Sequence, residues 1–68
     1  MVTLKHVGNG LLLAVNEENA MLGMVYDDPS TGLVCKAYMG PREGFVSFGR
    51  VETLGVAEAL LWAFSERD

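Results

Sequence analysis

A chain of 68 residues, 50% hydrophobic and 21% charged, is too short for two domains and too apolar for a disordered tail, so one compact domain spanning 1–68 is expected. Nine acidic residues against five basic ones leave a net charge of −4, which argues against generic nucleic-acid binding, since that rests on neutralising phosphates with Lys and Arg. A single cysteine, Cys35, and a single histidine, His6, exclude an intrachain disulfide and a structural zinc site of the Cys/His type. With those supports gone, self-association is the remaining common help for a core this small, and a two-fold dimer is its default form. The opening MVTLKHVGNG has no secretory-signal core, and the longest apolar run, Ala59 to Phe64, is far below the roughly 18 residues of a membrane span. A cytoplasmic, reducing location is therefore expected.

In chain order, the first break is Gly8 to Gly10, whose Asn9-Gly10 pair suits a two-residue type I′ turn. Asn16 to Asn19 (NEEN) is polar and breaks the next run. Asp27 to Gly32 (DDPSTG) combines carboxylates that accept backbone N–H groups, a proline that fixes φ and a glycine able to turn left-handed. Gly40 to Gly44 (GPREG) reads as a further hairpin loop. Between these breaks lie five runs of about five to seven residues rich in Val, Leu, Met, Phe and Tyr, which read as strands joined antiparallel by short loops.

Cross-strand partners share a face, and a one-residue slip reverses it, so register can be chosen by asking which pairing gathers apolar residues. With Asn9-Gly10 as the turn, Leu4 faces Val15, His6 faces Leu13 and Lys5 faces Ala14. Pairing Tyr26 with Leu33 and Met39 with Phe45 collects Leu22, Met24, Tyr26, Leu33, Cys35, Ala37, Met39, Phe45 and Val51 on an expected core face. The opposite face then carries Met21, Val25, Val34, Lys36, Tyr38, Val46, Phe48 and Arg50, together with Lys5 if the first hairpin joins the same sheet in the same sense.

Thr53 is the natural N-cap of a helix over Leu54 to Glu66, and the charge of Arg67 suits its C-terminus. Val56, Ala57, Leu60, Ala63 and Phe64 recur at helical spacing and are expected to meet the sheet, leaving Leu54, Leu61 and Trp62 outside that stripe. Gly55, Ala59 and Ala63 add small residues at four-residue spacing. The fold class is α+β: an antiparallel meander of five short strands with one C-terminal helix packed on one face. A helix this apolar around its circumference exceeds what one sheet face covers, which points to another chain.

No catalytic constellation emerges. His6 reads as a core-rim residue without triad partners, Cys35 as a buried inert thiol, and Asp27 and Asp28 as turn-forming acids without the ligand ladder of a calcium loop. The glycines follow no phosphate-loop spacing, and neither cofactor nor metal is expected. The junction GRVETLGVAEALL resembles the Gly-x-Phe-x-Thr-x-x-x-Ala pattern of three-stranded-sheet-plus-helix DNA-binding domains of the plant ethylene-response and integrase arm-binding types, through Gly49, Thr53 and Ala57 with Val51 in the aromatic position. It is also similar to the helix start of HicB-type antitoxins through Thr53, Leu54 and Ala57. Both resemblances imply a strand running into a capped helix. Those DNA readers place several arginines and a tryptophan on their strands, whereas here only Lys36 and Arg50 stand there, so no DNA-reading residues carry over.

The expected site is therefore a surface. Lys36, Tyr38, Phe48 and Arg50 on the outer sheet face, with Trp62 on the helix, form the candidate partner-binding set of a small non-enzymatic regulator or inhibitor, of the kind mobile genetic elements such as phages encode. The partner is expected to be another protein or a second copy of the chain. The alternative is a platform for single-stranded nucleic acid, with the aromatics stacking on bases and the cations on phosphates.

Overall fold

A computed structural model describes residues 2–66; the predicted role of Arg67 falls outside them. Five strands, β1 (Thr3–Gly8), β2 (Leu11–Val15), β3 (Met21–Asp28), β4 (Gly32–Tyr38) and β5 (Phe45–Arg50), precede one helix, α1 (Leu54–Glu66). The strands pair antiparallel in the order β1-β2-β3-β4-β5, a single meander sheet with α1 on one face, which is the α+β arrangement that the run lengths and turn residues indicate.

Each connection is closed by the residues that break the apolar runs. Asn9 (φ 54°) and Gly10 (φ 76°) both take positive φ, as a type I′ turn requires. In the β2–β3 loop the Asn16 side chain accepts hydrogen bonds from the amides of Glu18 (2.9 Å) and Ala20 (3.0 Å). In the β3–β4 loop Asp28 accepts from the amides of Ser30 (2.8 Å) and Thr31 (3.2 Å). The Thr53 hydroxyl accepts from the Val56 amide (3.2 Å), the N-cap bond that starts α1.

Register departs from the sequence reading in three places, each with a local cause. A bulge at Val7 lets Gly8 face Leu11 but moves Leu4 to Ala14, Lys5 to Leu13 and His6 to Leu12. Asp28 pairs with Gly32 across a three-residue loop, so Tyr26 faces Val34, not Leu33; this turns β3 over relative to expectation. Phe45 faces Tyr38, not Met39, and a bulge between Ser47 and Gly49 restores the Cys35–Gly49 and Val34–Arg50 pairs. Gly49 has φ 82°, accessible to glycine at little cost, and its amide donates to Ser47 Oγ at 3.0 Å.

The core lies between sheet and helix: Ala14, Val25, Cys35, Ala37, Val51, Ala57 and Leu61, with Leu4, Leu12, Leu22, Leu33, Phe48 and Phe64 packed around them. Met24, Tyr26 and Phe45, expected in the core, are on the other face, and Val25 and Phe48 have taken inner positions. The helix also lies on a different stripe. Ala57 and Leu61 are its buried residues and Phe64 packs beside them, while Val56 and Leu60 are 44% and 38% exposed. Ala57, Leu61 and Phe64 follow the i, i+4, i+7 spacing of a narrow helical stripe. In a helix apolar nearly all round, that stripe is chosen by the shape of the sheet beneath.

Gly23 makes that shape. A Cβ there would meet the Lys36 carbonyl oxygen and stand 2.7 Å from Leu61 Cδ2. Gly23→Ala is therefore expected to destabilise the fold by about 1–3 kcal/mol through overpacking, measured by urea denaturation. An unchanged midpoint would show that the helix does not rest where Gly23 leaves room.

Candidate functional site: the uncovered sheet face

The helix occupies one face of the sheet and leaves the other open. Alternation along the strands places two rows on the open face: Lys5, Leu13, Met24, Lys36 and Ser47 in one, and Leu11, Tyr26, Val34 and Arg50 in the next. Tyr38 and Phe45 pair beyond the first row, and Val15 adjoins it on the other side. Val15 and Val34 on this face are buried.

Its chemistry is aromatic and cationic. Lys36 Nζ lies 5.5 Å from the centroid of the Tyr26 ring, within cation–π range. The rings of Tyr38 and Phe45 are 5.2 Å apart and tilted by 53°. Lys5 Nζ donates to Asn19 Oδ1 at 2.5 Å. Arg50 reaches back over Gly32, where an added Cβ would stand 3.5 Å from its Nε. Of the carboxylates among the described residues, Asp28 alone shares this face by register, and its oxygen is engaged by the loop amides. A chain with net charge −4 thus concentrates three of its five basic residues on one apolar surface.

Of the residues expected here, Lys36, Tyr38 and Arg50 are on the open face. Phe48 is not: the β5 bulge turns it toward α1, where its ring meets Phe64 edge-on at 5.6 Å. Trp62 is 39% exposed, but on the helix side of the molecule. Met24, Tyr26, Leu13 and Phe45 are surface members that the assumed register hid. The signal that could have found Met24 and Tyr26 is Asp28, since an acid spaced to bind the amides two and three residues on favours the three-residue loop.

The helix side carries its own feature, an open groove of about 480 Å³ lined by Val2, Gly55, Glu58, Ala59 and Trp62. Gly55 and Ala59 keep its helical wall low, and Glu58 is its acid.

Cys35 is fully buried, and burial pushes its thiol pKa up, away from the reactive thiolate. His6 is exposed on the edge strand β1. Among the described residues no group of three His, Cys, Asp or Glu side chains stands where it could hold a metal ion. No helix among them is long and apolar enough to cross a membrane. No protein-family model, curated protein or solved structure shows significant similarity to the chain.

Two outcomes check this geometry. Phe48→Ala removes a ring from the helix–sheet core and should cost about 3 kcal/mol, whereas Phe45→Ala, on the open face, should cost about 1 kcal/mol; thermal melts of both distinguish the faces. Cys35 should resist an aromatic disulfide reagent in the native protein and react fully once urea unfolds it. Rapid native labelling would contradict its burial.

Proposed function

We propose that the protein is a small non-enzymatic binding module, a regulator or inhibitor that acts by docking its open sheet face, with the exposed side of α1, against a protein partner. The observation that carries this reading is the open face itself: the half-buried Leu13, Met24, Tyr26 and Tyr38 and the exposed Phe45 share an apolar and aromatic face with Lys36 and Arg50 set into it. Contiguous exposed apolar surface marks interaction sites, and aromatic and Arg anchors dominate binding energy where they are found. The cations give the surface a preference for an acidic partner and speed its encounter. A lone thiol such as Cys35 fits work in the reducing cytoplasm.

A second reading draws on the same aromatics: three rings flanked by Lys36 and Arg50 match the parts list of a single-strand platform. The acidic balance of the chain disfavours it. The test sets the two against each other. Partner protein captured from the native host by the wild-type chain should be lost with Tyr38→Ala and with Lys36→Glu and retained with a substitution in the β2–β3 loop, Glu18→Ala. A fluorescent single-stranded oligonucleotide should not bind at physiological salt. A micromolar complex that weakens steeply with salt would replace protein docking with nucleic-acid binding.

A further inference from the structure

The molecule carries two apolar surfaces of opposite charge on opposite sides. The open sheet face holds Lys5, Lys36 and Arg50. On the helix side, Glu58 lies in the groove and Glu66 ends α1, whose last turn holds no basic residue among the described residues. Resting on the reading of the sheet face as a protein-docking surface, we infer that its occupant is the helix groove of a second copy of this chain, in a head-to-tail contact.

Shape and charge agree on this pairing. The groove, about 480 Å³ in volume, is lined by Trp62, Val2 and Glu58 and by the small residues Gly55 and Ala59, which leave room for an inserted ring. The Tyr38–Phe45 ring pair, with Phe45 37% exposed and Tyr38 half-buried, is the aromatic pair of the open face. Tyr38 and Lys36 are two residues apart on β4 and so about 7 Å apart along one face. Trp62 and Glu58 are one turn apart on α1, about 6 Å along the helix. Seating the ring pair beside Trp62 therefore brings Lys36 to Glu58 of the neighbouring copy. The helix, about 20 Å long at 13 residues, matches the length of the strands it would cross.

The same charges oppose the two-fold alternatives. Sheet face on sheet face would bury Lys36 and Arg50 against cations of the same kind, and groove on groove would set Glu58 against Glu58. Like charges at close quarters in an interface are penalised, as is any buried charge left without a partner. A heterologous contact does not close as a dimer; it continues into a ring or an open filament.

Sedimentation velocity on the full chain, at rising concentration and in low and high salt, tests this. The wild type is expected to pass beyond dimer, less so in high salt. Lys36→Glu, which disables the sheet face, and Trp62→Glu, which disables the groove, should each require at least about tenfold more protein to associate. Mixed in equal amounts they retain one good sheet face and one good groove, and should form a one-to-one heterodimer and nothing larger. Trp62→Glu that still dimerises alone would show sheet-to-sheet pairing, and Lys36→Glu that still dimerises alone would show groove-to-groove pairing; either overturns the inference. Circular dichroism checks the fold of each variant, and Lys36→Ala with Glu58→Gln replaces any that fails, with the same expected pattern. A wild type that stays monomeric throughout overturns self-docking while host-protein capture sensitive to Lys36→Glu upholds the docking face; loss of both overturns both readings.

Discussion

Leu61 meets the sheet where Gly23 has no side chain, and the orientation of the whole helix follows from that contact. Full burial of a leucine side chain stabilises a fold by roughly 1.5–3 kcal/mol, a large share of the margin available to a domain this small. With Leu61 seated, Ala57 one turn before it must face inward, and Phe64 one turn after it meets Phe48. Val56, Leu60 and Trp62 are then turned outward whatever their hydrophobicity. The exposed apolar side of α1 is thus a consequence of where the sheet offers depth.

The same contact explains why the molecule has an open face. One helix of 13 residues covers the middle of a five-stranded sheet on one side and nothing on the other. Antiparallel sheets usually meet that situation with polar residues on the outside. Here the outside holds Leu13, Met24, Tyr26 and Tyr38, and its polarity comes from long cations that can lie over aromatic rings, as Lys36 does over Tyr26. Three cations stand on the open face against one carboxylate, Asp28 at the end of β3, so that face is cationic even though the sum of the chain is negative. An excess of that kind sets the preference of the face for a partner of opposite sign.

Loop and bulge geometry decides which residues belong to which face. Asp28 binding two amides makes the β3–β4 loop three residues long, and that one residue puts Tyr26 and Met24 outside and Val25 inside. The β5 bulge at Phe48 moves a ring that strict alternation would leave outside into contact with Phe64. Neither device alters the number or order of strands. Both alter the composition of the site, which is why element positions are legible in this chain while site membership is only half so: Lys36, Tyr38 and Arg50 are where alternation puts them, and Phe48 is not.

Sequence alone determined the number of elements, their order, their antiparallel sense and the capping of α1 by Thr53, because those follow from local chemistry: turn residues that accept amides or tolerate positive φ, and apolar runs of strand or helix length. Only the tertiary structure decided which face of β3 and which stripe of α1 are buried. When nearly every position is apolar, periodicity gives no preference between faces, and the choice passes to contacts between distant segments, Gly23 beneath Leu61 and Phe48 against Phe64, and to the exact length of the loop that sets Gly32 opposite Asp28.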